Sequence, residues 1–307
     1  MMLKIGTRGS PLALAQSRWV KEKIEARYSD IRVSLIKIKT KGDKILDSPL
    51  AEIGGKGLFV KEIEEALLRR DVDVAVHSMK DLPADLPEGL QMAVYPKRED
   101  PRDAFVSLDY QTLSALPEGS SVGTGSLRRS AQLLHLRPDL HVVPLRGNVD
   151  TRLKKLESEN LQAVILATAG LRRLGFAQRI TQVLSTEEIL PAVGQGALGL
   201  ELRQDDAKTK DKLIFLNHET TELTVRAERA FLKKLEGGCQ VPIAAYSRMD
   251  GDHIILQGLV GELDGSRVIK DEVTGHKDRP EEIGTTLADK VLAAGADEIL
   301  SKIYGAS

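Results

Sequence analysis

Strand-like and helix-like patterns alternate over the first two thirds of the chain, and this alternation constrains the fold more than any other feature. The first series has strand patterns at 3–7, 33–39 and 72–76 and helix patterns at 11–28 and 58–70. After the charged segment 97–103 a second series has strand patterns in "AFVSL", "SVGTG", "HVVPLR" and "AVILATA" and helix patterns near 126–136 and 149–158. Strand–helix–strand units place strands side by side with helices against the sheet. The sequence therefore predicts two α/β domains with mostly parallel sheets.

The last third of the chain has a different pattern. A loop and strand over 189–202 and a helix near 206–216 fit either of the first two domains. A helix from Glu219 to about Glu236 meets two glycines, which commonly end helices. Three strand patterns follow, separated by Asp-Gly pairs, a hairpin signal, and a helix near 280–303 closes the chain. We expect a C-terminal α+β domain with a small antiparallel sheet.

Composition excludes several classes of protein. The 44 Lys and Arg residues balance 45 Asp and Glu residues, so no overall field favours nucleic acid or an anionic membrane. The longest uncharged runs, such as 161–171, are shorter than the roughly 20 apolar residues that span a bilayer. One cysteine forms no internal disulfide, and the first residues resemble no signal peptide, so we expect a cytoplasmic protein. No residue cluster has metal-site spacing, and no metal is expected.

Arginines recur at the predicted ends of strands. Arg8 follows the first strand, Arg128 and Arg129 open a helix after the glycine-rich turn "GTGS", Arg146 ends a strand, and Arg172 and Arg173 follow another. Ligands of open α/β sheets bind at the carboxyl ends of strands, and helix N-termini attract anions. A solvated surface position is the alternative for any single arginine. The whole set indicates a ligand with several carboxylates or phosphates.

Two further residues have candidate chemical roles. Asp81 follows a buried strand in "VHSMKDLP", where an ionised carboxylate could stabilise a cation or move a proton; a turn cap or a salt bridge is the alternative. His77 is expected to be a hydrogen-bonded core residue. Cys239 follows two glycines in "EGGCQVP", so we expect an accessible thiol that serves as an attachment point or a nucleophile, although free cysteines are usually buried hydrophobes. No histidine has a motif that would pair it with this thiol.

Six motifs in order, "GGKGLFVKE", "VHSMKDLP", "GTGSLRR", "LRGNVDTRL", "LPAVGQGA" and "EGGCQVP", closely resemble the porphobilinogen deaminase (hydroxymethylbilane synthase) family. The resemblance implies a dipyrromethane cofactor joined to Cys239 by a thioether. Four porphobilinogen molecules would lose ammonia and be added head to tail, and hydrolysis would release 1-hydroxymethylbilane. Asp81 would be the catalytic aspartate. The family often has serine where this chain has Gly125.

The same resemblance implies the other binding residues, carried over by motif position. The cofactor would contact Lys80, Ser126, Arg128, Arg129, Arg146, Arg152 and Gly196. The substrate would contact Arg8, Ser10, Lys56, Arg173 and Gln195. Support for Arg172 is weaker.

The resemblance also implies the architecture and the setting. Two periplasmic-binding-protein-like α/β domains would comprise 1–97 with 197–216, and 102–191, and an α+β domain over 219–307 would carry the cysteine. A hinge between the first two would accommodate the growing chain. We expect a monomer that binds neither nucleic acid nor membrane. A non-catalytic anion-binding protein of the same architecture is the main alternative, and a cysteine-dependent hydrolase is a weaker one.

Overall fold

The computed structural model describes residues 1–44, 60–237 and 241–305, and these form three sheets. The strands are β1 (Met2–Thr7), β2 (Arg32–Lys37), β3 (Val74–Ser78), β4 (Leu90–Val94), β5 (Asp103–Val106), β6 (Ser121–Gly123), β7 (His141–Val143), β8 (Ala163–Ala167), β9 (Gln182–Val183), β10 (Leu198–Arg203), β11 (Ile243–Asp250), β12 (His253–Gly261) and β13 (Val268–His276). The α-helices are α1 (Pro11–Arg27), α2 (Lys41–Lys44), α3 (Lys61–Leu68), α4 (Leu127–Leu136), α5 (Val149–Ser158), α6 (Thr168–Arg173), α7 (Ala207–Leu213), α8 (Glu219–Lys234), α9 (Pro280–Val291) and α10 (Asp297–Gly305).

The first two sheets have five strands each and equivalent strand orders. The first has the order β2-β1-β3-β10-β4 and the second β7-β6-β8-β5-β9. In each sheet two pairings are parallel and two are antiparallel. Four of the five strands in each sheet nevertheless run in the same direction, and only β10 in the first sheet and β5 in the second run against their neighbours. The prediction of mostly parallel sheets is therefore confirmed.

The chain leaves the first sheet after β4, enters the second at β5 and returns to the first at β10. We call the connections 95–102 and 184–197 the first and second crossing segments. The strands that follow them, β5 and β10, run against the direction of their neighbours.

Local sequence explains where the helices begin and end. Helix α1 begins at Pro11 as predicted, and the Ala13 N–H donates to the Ser10 hydroxyl at 3.3 Å. The helix predicted over 280–303 is interrupted at Leu292–Ala296, because Gly295 has φ 102°. That left-handed conformation does not continue an α-helix, so α9 and α10 are separate.

Apolar residues fill both faces of the second sheet, which explains its uninterrupted apolar strands. Phe105 and Ile165 belong to one buried cluster, whereas Val106 and Leu166 belong to the cluster on the opposite face. In the C-terminal domain, α8 and α9 cover one face of the antiparallel sheet β11-β12-β13. Its core contains Phe231, Leu256 and Leu287 among others.

One buried carboxylate connects the C-terminal domain to both crossing segments. Glu228 on α8 is fully buried and forms a two-bond ion pair with Arg98, at 2.6 and 3.1 Å. The Gly194 N–H donates to the same carboxylate at 2.7 Å, and Arg98 Nε donates to the carbonyl of Gln195 at 2.8 Å. The two segments that join the α/β domains are thus held to each other and to α8.

Candidate active site

The carboxyl ends of β1 and β3 open on a small cavity. Its volume is about 50 Å³, and Arg8, Ser10, His77, Ser78 and Asp81 contribute to its lining. Asp81 ends a short 3-10 turn, Met79–Asp81, which directly follows β3 and leaves its carboxylate exposed. This is the edge of the sheet at which ligands of α/β proteins bind.

The second α/β domain contributes the N-terminus of α4. Ser126 caps this helix with its backbone, but its hydroxyl forms no cap hydrogen bond, so the hydroxyl is available to a ligand. A Cβ atom at Gly125 would collide with the carbonyl oxygen of Leu145. The backbone here therefore has no room for a serine at position 125.

Arg128 and Arg129 are buried around a carboxylate that the sequence analysis did not identify. Asp103, at the start of β5, is fully buried, and its oxygens lie 2.8 Å from Arg128 Nη1 and 2.7 Å from Arg129 Nη2. Arg128 Nη1 also donates to the carbonyl of Leu190 at 2.7 Å. The two guanidiniums hold the pKa of Asp103 well below its usual range despite its burial. In the sequence Asp103 is the last residue of the charged segment 97–103, and nothing local distinguishes it from the other charged residues of that segment.

Gln195 completes this cluster. Its side-chain amide donates to Asp103 Oδ1 at 2.9 Å and to the carbonyl of Pro101 at 2.6 Å, and the residue is 1% exposed. Both amide hydrogens are thus used within the protein. The geometry indicates a residue that positions Asp103, whereas its predicted contact with substrate stays a prediction.

Three half-buried cations lie beside this cluster and Asp81. Lys80, Arg146 and Arg152 form no ion pair with an acidic side chain among residues 1–44, 60–237 and 241–305. Desolvation lowers the pKa of Lys80, with Asp81 opposing the shift. Desolvation, then the positive charge of Arg129, lowers the pKa of Arg152 to about 10, and Asp81 again opposes. The two α/β domains therefore bring several incompletely neutralised cations around one carboxylate.

Two arginines that follow β8 have different partners. Arg173 donates to the carbonyl of Gly196 at 2.7 Å, and desolvation lowers its pKa to about 10. Gly196 has φ 85°, and a side chain there would collide with the carbonyl of Glu99. Arg172 is exposed and pairs with Glu99 at 2.9 Å. Arg172 therefore connects α6 to the first crossing segment and does not belong to the group of cations near Asp81.

Two predicted residues, Lys56 and Cys239, lie outside the described ranges. The residues on either side of 238–240 are anchored to the C-terminal domain: the Gly237 N–H donates to the carbonyl of Leu232 at 3.0 Å, and Val241 is buried. Within the described ranges no group of His, Cys, Asp and Glu side chains could hold a metal ion. In the same ranges no helix is long and apolar enough to cross a membrane.

A larger cavity of about 490 Å³ lies away from these residues. Arg102 of the first crossing segment, Glu187 of the second domain and Tyr246 and Arg248 of β11 contribute to it. Size alone does not identify the site, because the cations and Asp81 are elsewhere.

The fold and the site together define a protein of two α/β domains, which bring cationic side chains from both domains near Asp81, and a third domain packed against the crossing segments. Two family models match the chain: "Porphobilinogen deaminase, dipyromethane cofactor binding domain" over residues 3–211 and "Porphobilinogen deaminase, C-terminal domain" over residues 222–293. The chain belongs to the porphobilinogen deaminase family.

Curated relatives agree with this assignment. A porphobilinogen deaminase of Trichlorobacter lovleyi is 57% identical over 98% of this chain and 96% of its own length. One from Geobacter metallireducens is 56% identical over 98% of this chain and 95% of its own. Among solved structures, the methionine-binding protein MetQ aligns with 70% of this chain and 89% of its own, with a TM-score of 0.44 and 15% identity. The family assignment comes from the sequence relatives.

Proposed function

We propose that this protein is a porphobilinogen deaminase, or hydroxymethylbilane synthase, of tetrapyrrole biosynthesis. It joins four porphobilinogen molecules head to tail with loss of ammonia and releases 1-hydroxymethylbilane by hydrolysis. The observation that carries the proposal is the set of half-buried, incompletely neutralised cations around Asp81, in a chain of this family.

The cation set fits the dipyrromethane cofactor that the matched family model names. Each pyrrole of this chemistry carries an acetate and a propionate, and guanidinium groups bind carboxylates through two parallel hydrogen bonds. We assign Lys80, Ser126, Arg146 and Arg152 to cofactor carboxylates, because these side chains have no acidic partner in the described ranges. When bound, the dipyrromethane supplies the free ring carbon to which the first substrate unit is added.

The role of Arg128 and Arg129 in this proposal is mainly electrostatic. Their Nη atoms already contact Asp103, and each side chain is 5% exposed. They add positive charge beneath the cleft, while the more accessible cations contact the ligand directly. Arg8, Ser10 and Arg173 are assigned to the incoming substrate from their motif positions, and Lys56, Gln195 and Gly196 remain predicted ligand contacts.

Asp81 is assigned the chemical role. When the carbon–nitrogen bond of porphobilinogen breaks, the electron pair leaves with ammonia and a cation remains. An ionised carboxylate stabilises that cation and can accept the proton released when the next carbon–carbon bond forms. Asp81 is suited to this because it is exposed at the cavity edge and lies near the cationic side chains of Lys80 and Arg152.

Cys239 is assigned as the thioether anchor of the cofactor. The thiol belongs to a short segment between two anchored flanks, Gly237 and Val241. The domain limits predicted from the sequence belong to the same proposal, and the pairing of β10 with β3 and β4 supports placing 197–203 with the first domain. A monomeric, cytoplasmic enzyme completes it.

The test is the reaction itself. Purified protein incubated with porphobilinogen should release four ammonia molecules for each linear tetrapyrrole, and Asp81→Asn should reduce the rate by about 100-fold or more. Lys97→Gln, a change at an exposed residue of the first crossing segment, is the matched control and should be neutral. Binding of porphobilinogen without ammonia release would favour the non-catalytic alternative.

A further inference from the structure

Three ionisable side chains are buried together under α3. His77 on β3 is 5% exposed, Glu201 on β10 is fully buried and Glu64 on α3 is 7% exposed. His77 Nε2 and Glu201 Oε2 are joined by a hydrogen bond of 2.7 Å. Oε1 of Glu201 and Oε1 of Glu64 are both buried without a hydrogen-bond partner. We call these three residues the acid cluster.

The surroundings make this arrangement costly. Ile63 and Leu67 on α3, the helix that carries Glu64, belong to a buried apolar cluster with Val72 and Leu90. A buried carboxylate oxygen without a partner costs free energy, and an apolar residue or an amide would cost less. Stability therefore gives no reason for two carboxylates here. Both carboxylates can bind a proton, and the stability of the fold does not require this property.

The surroundings of Glu64 place its protonation near neutral pH. Burial, then the neighbouring Glu201, raises the pKa of Glu64 to about 7, with His77 opposing. The other charged groups that face the cluster are Glu65 on α3, Arg203 on β10 and Arg229 on α8; both arginines donate to backbone carbonyls. The cluster can therefore gain and lose a proton near pH 7.

His77 connects the cluster to the proposed active site. It lines the same cavity as Arg8, Ser78 and Asp81. When one substrate unit joins the next, a carbon–carbon bond forms and the attacked ring carbon loses its hydrogen as a proton. Ammonia leaves from the ammonium form of the substrate's aminomethyl group and takes the electron pair of the broken carbon–nitrogen bond, so the leaving group does not take up the proton of the ring carbon. Asp81 is the carboxylate at the cavity edge, so we take it as the acceptor of this proton, and it must lose the proton before the next addition.

We propose that His77, Glu201 and Glu64 form a buried proton acceptor that regenerates Asp81 after each addition. The proton leaves the Asp81 carboxyl for the imidazole of His77, and the imidazole gives up its other proton to the carboxylates behind it. No electrons are exchanged, and the cluster later returns the proton to solvent. The three residues act through Asp81 and do not touch the substrate. This inference rests on the proposed function.

The test compares pH profiles of turnover for Glu64→Gln and the unaltered protein, with Glu65→Gln as the matched control. Glu65 is on the same helix but is exposed and pairs with Arg69 at 3.7 Å. The kcat of the unaltered protein should rise with pH through about 7, where Glu64 loses its proton. Glu64→Gln should abolish that rise and lower kcat at pH 8 by about tenfold. Glu65→Gln should retain it.

A second readout does not depend on turnover. Infrared difference spectra should show a protonated carboxyl group that titrates near pH 7 in the unaltered protein and is absent in Glu64→Gln. A profile of Glu64→Gln that keeps the rise, merely scaled, would overturn the inference, as would the absence of the titrating carboxyl band. Failure of the unaltered protein to convert porphobilinogen would instead refute the proposed function.

Discussion

Substituting Asp103 by asparagine tests whether the cations of the cleft depend on one buried carboxylate. The change keeps the size of the side chain and removes its charge. The oxygens of Asp103 lie 2.8 Å from Arg128 Nη1 and 2.7 Å from Arg129 Nη2, and all three residues are at least 95% buried. Without the carboxylate, two guanidiniums would remain buried with no counter-charge. We therefore expect a large loss of stability.

The magnitude follows from this burial. Removing one partner of a buried ion pair typically costs about 3–5 kcal/mol. Two arginines lose their partner here, and the amide of Gln195 loses its acceptor at 2.9 Å, so Asp103→Asn should reach the upper end, about 5 kcal/mol. That is a large fraction of the roughly 5–15 kcal/mol that holds a typical domain folded.

The pH dependence of the same variant has a definite sign. The arginines hold the pKa of Asp103 below its usual value, so the stability it contributes is fully present above its unfolded pKa and is lost as pH falls. The difference between Asp103→Asn and the unaltered protein should therefore be constant from pH 5 to 8 and shrink only in acid.

Urea unfolding followed by circular dichroism measures the effect, with Asp109→Asn as the control. Asp109 is exposed in the same domain, and its substitution should change stability by less than about 0.5 kcal/mol. A loss below about 1 kcal/mol for Asp103→Asn, equal to that of the control, would refute the reasoning.

Three further predictions follow from the described contacts. The pKa of Glu64 is raised in the folded protein, so the free energy of unfolding is highest below pH 4.5, where Glu64 is protonated, and falls as the pH rises to about 7. Glu64→Gln should therefore be about 3 kcal/mol more stable than the unaltered protein above pH 7 and equally stable below pH 4.5. Thermal unfolding at several pH values would measure this difference. Arg98→Met should cost about 3–5 kcal/mol in urea unfolding, because it leaves Glu228 buried without its ion-pair partner; equal stability would refute this. Arg152→Gln should slow the assembly of the dipyrromethane cofactor from porphobilinogen about tenfold, followed by intact mass over time, because a charge-assisted contact to a cofactor carboxylate is lost. Lys154→Gln, an exposed change on the same helix, should not; equal rates of cofactor assembly would contradict the assignment of Arg152.

Periodicity and terminal residues were enough to predict the α/β architecture. Ser10 and Pro11 fix the start of α1, and the Asp-Gly pairs at 250–251 and 264–265 fall between the strands of the C-terminal sheet. The reversed direction of β5 and β10 was not predictable, because it depends on where the chain crosses between the two sheets. The antiparallel insertion of β10 between β3 and β4 is a tertiary pairing that has no local sequence signal.

Charged residues were predictable as a group but not in their individual surroundings. The recurrence of arginine at strand ends indicated an anion site, yet Arg128 and Arg129 are buried against Asp103 while Arg146 and Arg152 remain incompletely neutralised. All four arginines lie near the junction of a strand and the helix that follows it, so the local sequence does not separate them. Only the folded arrangement brings Asp103, 26 residues before Arg129, to two of them.

The most direct test of the proposed function is the intact mass of the purified protein, followed by mapping of the peptide that contains Cys239. The account predicts an excess mass equal to two linked pyrrole units, located on that cysteine. An unmodified protein that stays unmodified after incubation with porphobilinogen would contradict the covalent anchor and favour a binding protein that performs no chemistry.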